Sequence, residues 1–257
     1  MEPPSAPLSS INSNSRPRIG MSRLANLVAI NRNRDAIYLF LSKAQEVELT
    51  GEQIDAMRKG NGPLVDPRSL EGLNNSDIKD GLELLSRAVA AMKGRKLEDV
   101  QVELATDFAG VFLGIRHEVV PHPSESAYSN SGRLVYQKER DEVMAMYREA
   151  GLDKVSDFTE PEDHVALELG FMARLARETA SALEANRINE ARRYLELQKR
   201  FLNKHLMKWV PRLCADVLKA AASEFYQGVA LVTRGYVSED ASTVEDLSEQ
   251  VEQIHAP

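Results

Sequence analysis

The chain has 257 residues, 43% of them hydrophobic and 28% charged, with a net charge of −7 at pH 7. That apolar fraction excludes a wholly disordered chain, the single cysteine excludes a disulfide framework or a multi-cysteine metal site, and no run of about 18 apolar residues offers a membrane span. Residues 238–257 hold six acids and no Lys or Arg, and residues 1–23 hold three arginines against one acid. The body between them is nearly balanced and lacks the clustered cations that broad nucleic-acid binding requires.

Residues 1–22 mix Pro3, Pro4, Pro7 and Pro17 with Ser and Asn and have no apolar centre. They read as a disordered N-terminal tail rather than a secretory signal, with Met21 as an alternative start. Together with an unpaired cysteine, this points to the cytoplasm. Helices are expected at about 23–45 and 51–59. The second is opened by the capping-box spacing of Thr50 and Gln53 and closed by Gly60. Leu82, Leu85, Val89 and Met92 step by three and four, as do Leu97, Val100, Leu104, Phe108 and Phe112.

The longest irregular piece is 115–133, and loops of that length in compact domains are usually functional or disordered. Its Tyr128, His117 and His122 favour function. A helix at about 134–149 ends at Gly151. Thr159 and Glu162 repeat the capping-box spacing ahead of a stripe of Val165, Leu169, Met172, Leu175, Thr179 and Leu183. Tyr194, Leu197, Phe201, Leu206 and Trp209 form a fourth stripe, and Leu213, Val217, Ala221, Phe225 and Val232 a fifth. Pro161 and Pro211 read as residues near helix starts. The segment 238–257 reads as an acidic C-terminal tail, although Val244, Leu247, Val251 and Ile254 keep helical spacing.

The fold class is therefore all-α: one helical domain over 23–237 with about eight or nine helices. Its halves, about 23–114 and 134–237, are joined by the loop 115–133.

Chemistry-bearing motifs are sparse. There is no His-Glu-x-x-His, no Gly-x-Ser-x-Gly and no phosphate loop. Cys214 falls on the apolar face of a helix and reads as a structural thiol. One grouping, Asp163, His164 and Glu168, supports an alternative reading as a nucleotide- or metal-dependent hydrolase. Acids at a helix start are favoured by the macrodipole, which accounts for much of Glu160-Pro161-Glu162-Asp163-His164. It does not account for Pro, Asp and His in that order before so apolar a helix.

That segment resembles the Glu-x-Pro-x-Asp-His signature of the TorD/DmsD/NarJ-like chaperones of molybdenum redox enzymes, in the variant Glu-Pro-x-Asp-His. Four further segments resemble the same family in the same order. These are Arg34-Asp-Ala-Ile-Tyr-Leu-Phe-Leu-Ser, Asp107-Phe-Ala-Gly-Val-Phe-Leu-Gly, Pro123-Ser-Glu-Ser-Ala-Tyr128, and Phe201-Leu-Asn-Lys-His-Leu-Met-Lys-Trp209 with Phe225-Tyr226. The chain departs from the pattern at Gly114-Ile115, where the family often has Gly-Pro, and at Ser124, where it has an aromatic residue.

The resemblance implies an all-helical cytoplasmic chaperone with no cofactor and no catalytic residue of its own. It would bind the twin-arginine signal peptide, the apo form, or both, of a molybdopterin-containing oxidoreductase, assist cofactor insertion and prevent premature export. The residues carried over as client-binding are Pro161, Asp163 and His164, then Glu160, Tyr128, Glu125, Ser126 and Asp107. His205 and Trp209 also match and read as core packing. A leader with a cationic head and an apolar stretch calls for an apolar groove with carboxylates at one end. Asp163 is expected either to pair with a leader arginine or to orient the loop through His164. Weak guanine-nucleotide binding by some members, and either a monomer or a homodimer swapped through 115–133, complete the expectations. No nucleic acid and no membrane insertion are expected.

Overall fold

A computed structural model describes residues 19–61, 74–113, 121–152 and 159–254, with side chains from residue 23 onward. The tail to residue 18 and the loop portion with Gly114, Ile115 and His117 lie outside the described residues.

Every regular element among the described residues is helical. In chain order they are α1 (Ile19–Ala44), α2 (Gly51–Arg58), α3 (Ser76–Met92), α4 (Leu97–Phe112), the single turn α5 (Ser126–Ser129), α6 (Lys138–Glu149), α7 (Val165–Glu184), α8 (Ile188–Phe201), α9 (Met207–Ala220) and α10 (Glu224–Glu252). A five-residue π turn, Leu202–Leu206, joins α8 to α9. Nine helices longer than one turn match the all-α expectation, and α5 adds a turn inside the loop.

The local signals act largely as read. Thr50 and Gln53 form a reciprocal capping box, and Gly60 takes the left-handed conformation (φ 78°) that closes α2 at little steric cost. The fourth stripe contains a step of five, from Phe201 to Leu206. A π turn holds one more residue than an α turn, so this step keeps Leu206 on the buried face. The same turn carries His205 inward and leaves Asn203 and Lys204 exposed. Pro211 sits inside α9 rather than at its start, four residues past Met207, whose carbonyl its ring would otherwise crowd in a regular helix.

The two chain halves do not form separate bodies. α1 packs along α7 and α3 along α10, the two most extensive pairings, and one core runs from Leu27 to Val251. α3 and α10 meet backbone to backbone. A Cβ at Gly81 would lie 2.9 Å from the Gly228 carbonyl oxygen, and one at Gly228 would lie 2.9 Å from that of Gly81.

Three expectations are corrected. The fifth stripe is not one helix: α9 ends at Ala220 and α10 begins at Glu224, because Asp107 of α4 accepts the amides of Ala222 (2.9 Å) and Ser223 (2.8 Å). Residues 238–252 are the last turns of α10, not a tail. Val244, Leu247 and Val251 are buried there, and Asp240 accepts from Arg34 (2.7 and 2.8 Å) and Tyr38 (2.8 Å) inside the core. The Thr159–Glu162 spacing caps nothing in α7, which starts at Val165 with His164 as its cap.

Candidate functional site

The residues singled out in 121–130 and 160–164 converge on one corner, at the N-terminus of α7. Two stretches of backbone cross there. The Val165 amide donates to the Pro123 carbonyl (2.7 Å), the Glu125 amide donates to the Asp163 carbonyl (2.9 Å), and Ser124 pairs with His164 in an antiparallel bridge. This single residue pair, closed by two hydrogen bonds, explains why α7 starts late. Residues 161–164 form a turn that clasps the loop before the helix begins.

Each side chain then has an assigned task. Asp163 is fully buried. Its Oδ2 accepts from the Ser126 amide (2.8 Å) and from the Ser126 hydroxyl, so the carboxylate starts the α5 turn. His164 accepts the Ala166 amide at Nδ1 (3.1 Å), which assigns the ring proton to Nε2. Burial lowers its pKa to about 3, so it is a neutral cap at physiological pH. Glu125 meets His205 of the π turn, Oε2 to Nδ1 at 2.7 Å. Glu168 accepts the indole N–H of Trp209 at Oε2 (3.0 Å).

Tyr128 lies under Arg133 and Arg212, stacks against Trp209 and donates to Asp216 (3.1 Å). Arg140 of α6 is paired with Glu162, and the Tyr147 hydroxyl donates to the Glu162 carbonyl (3.1 Å).

The placement corrects the expected cradle of carboxylates. Pro161, Asp163, His164, Tyr128, Glu125 and Ser126 are brought together, but all are buried. Asp163 and His164 therefore do not line an open furrow in this conformation: both are buried, and Asp163 Oδ2 and His164 Nδ1 are taken by Ser126 and by the Ala166 amide. Of the two roles offered to Asp163, the contacts are those of an orienting group. Asp107 is not in the corner; its carboxylate is spent on the start of α10. Glu160 alone of the eight is exposed.

What the corner does display is the segment that follows α5. Arg133 and Tyr136 both hold left-handed backbone (φ 49° and 60°), and Leu134 and Tyr136 are each 60% exposed. The Asn130 side chain bridges this segment to α5, donating to the Ser126 carbonyl (2.7 Å) and to the Leu134 carbonyl (3.1 Å). Arg140 lies over the Tyr136 ring at 5.4 Å. Sequence reasoning missed Arg140, Asp216 and this display, and it favoured core packing over a site role for His205. The five-residue step before Leu206 was the available sign that His205 is turned inward.

The hydrolase alternative has no support here. Asp163, His164 and Glu168 are sealed, and no group of three or more candidate metal ligands occurs among the described residues. The Cys214 thiol, pushed up to about 12 by burial, is held in its unreactive form.

Residues 75–215 match the family described as the nitrate reductase delta subunit. The chain is 29% identical over 205 residues to the chaperone protein TorD of Aliivibrio fischeri, covering 79% of this chain and 90% of that one. It is 30% identical over 190 residues to TorD of Photobacterium profundum, covering 73% and 83% of the two chains. With TorD of Vibrio atlanticus it shares 31% over 196 residues, 74% and 85% of the two. The chain belongs to the nitrate reductase delta subunit family, in its TorD-like branch of molybdoenzyme-maturation chaperones. No helix among the described residues is long and apolar enough to cross a membrane.

Proposed function

We propose that this chain works in the cytoplasm on the precursor of a molybdopterin-containing oxidoreductase, taking its twin-arginine leader, its apo form, or both. It thereby holds the precursor back from export until the cofactor is in place. The observation that carries this reading is the Glu-Pro-x-Asp-His segment, whose Asp163 and His164 fix residues 123–130 against α7. In this view the matching residues are the frame of the client site, and the contacts come from what the frame presents. The apolar stretch of the leader would lie against Leu134 and Tyr136, and its cationic head would face Glu160. Two non-glycine residues in left-handed backbone cost on the order of 1–3 kcal/mol each, and strain of this kind clusters at ligand clamps. A single chain closes its own core, so the acting form is taken as the monomer, with the swapped dimer as its competitor.

Calorimetry with a synthetic twin-arginine leader tests the reading. Binding is expected, with about tenfold weaker affinity for the doubly substituted L134S/Y136S protein. Absence of heat for several leaders, with the protein folded, would overturn it. A guanine-nucleotide titration in the same cell, with light scattering to fix the mass, settles the two remaining expectations.

A further inference from the structure

Glu125 and Glu168 bring two carboxyl groups together in the interior, one from the loop and one from α7. Their outer oxygens are accounted for: Glu125 Oε2 by His205 and Glu168 Oε2 by Trp209. Glu168 Oε1 is also buried and has no donor directed at it. Two ionised carboxylates in that position would repel with little water to screen them, whereas one proton converts the contact into an acid–carboxylate hydrogen bond.

We propose that Glu168 holds a proton at neutral pH and donates it from Oε1 to the Glu125 carboxylate, latching the loop to α7 and the π turn. Opening the corner then requires giving that proton up. The latch regulates the corner assigned above to client binding, and it rests on that reading only for its use.

The surroundings agree. Burial, and then the charge of Glu125, push the Glu168 carboxyl well above the usual carboxylate range. Asp163, at the start of α7, adds a further negative charge. Tyr147 of α6 faces the same acids, and Arg140 of α6 is taken by Glu162. From the π turn comes His205, whose Nε2 is buried without a partner. From α9 comes the neutral indole of Trp209, while Arg212 is turned to Tyr128.

Infrared spectroscopy in heavy water reads the proton directly. A protonated-acid carbonyl band is expected at neutral pH and should vanish in Glu168→Gln, which keeps the shape and a donor. No band in the unaltered protein, or a band unchanged by E168Q, overturns the proposal. Trp209 is the only tryptophan of the chain, so its emission gives a second reading. It should shift as pH is raised past the usual carboxylate range in the unaltered protein and stay flat in E168Q.

Hydrogen exchange of the Glu125, Ser126 and Val165 amides, corrected for intrinsic rates, should show opening that grows about tenfold per pH unit over that range. In E168Q the slope should be absent; an unchanged slope also overturns the proposal. Should E168Q fail to fold, Glu125→Gln serves instead. It must move the midpoint of the infrared band to lower pH, and an unmoved midpoint rules out sharing. None of these measurements involves a leader peptide, so their failure is separate from failure of the client reading.

Discussion

Asp240 and Glu168 are both acids sealed in the interior, and they are satisfied in opposite ways. Asp240 lies at the α1–α10 contact with both oxygens held by the Arg34 guanidinium and one also by Tyr38. Arg34 is itself braced by Asn31 (2.8 Å). The corner gathers three acids, Glu125, Asp163 and Glu168, around one serine, one histidine and one indole. Apart from the Glu168 Oε1 contact inferred above, it leaves Asp163 Oδ1 and His205 Nε2 without hydrogen-bond partners. A region that only has to hold two helices together closes its hydrogen bonds. The corner carries unsatisfied buried polar atoms at a cost that a purely structural contact avoids.

Removing one member of the closed pair should do the most damage. Asp240→Ala leaves the Arg34 charge buried and unpaired, and should lower stability by about 3–5 kcal/mol in chemical denaturation. Replacing both partners together, Arg34→Met with Asp240→Leu, should recover most of that loss, since it leaves no orphan charge. If the double variant is as unstable as the single one, the pair does more than bridge α1 and α10.

At the corner the expected loss is smaller and, above all, local. Asp163→Ala removes the acceptor of two hydrogen bonds from Ser126, worth about 2–3 kcal/mol for a buried charged acceptor. Hydrogen exchange should speed up in 123–130 while amides in the α3–α10 contact keep their protection. A uniform rise across both regions would erase the contrast between them and return Asp163 to the status of an ordinary core residue.

How much of this was legible in the sequence follows the range of the interactions involved. The helices set by apolar spacing alone, α3, α4 and α7, were visible because their signal lies within one element. The break between α9 and α10 was not, because Asp107, which caps it, stands 115 residues before Ala222. The burial of Asp163 was hidden for the same reason. An acid before a helix usually faces water, and nothing near it in the chain announces that Ser126, 37 residues earlier, will take its carboxylate. The burial of 238–252 was half legible. Val244, Leu247 and Val251 gave the helix, while the partner that lets Asp240 go inside is an arginine near the other end of the chain.

The smallest effect at neutral pH, and the most diagnostic of the corner, belongs to His164. An ordinary histidine takes up a proton near pH 6.5, but burial holds this one down to about 3. The unfolded chain therefore binds one more proton than the folded one between those values. The contribution of the neutral ring is complete above about pH 6.5 and is lost as pH falls, by about 1.4 kcal/mol per unit inside the window. Glu168 has the opposite sign: its raised value makes the folded state the better proton binder, so its contribution is lost as pH rises above the usual carboxylate range. Where the two windows overlap the slopes cancel, and stability should be nearly flat with pH. His164→Asn keeps a side-chain oxygen able to cap the Ala166 amide and removes one titration. Stability at pH 7 should change by less than about 1 kcal/mol, while between pH 4.5 and 6.5 the curve should now fall as pH rises, exposing the Glu168 limb. Urea midpoints collected across that range decide it, and a curve that stays flat in H164N means that Glu168 does not hold its proton.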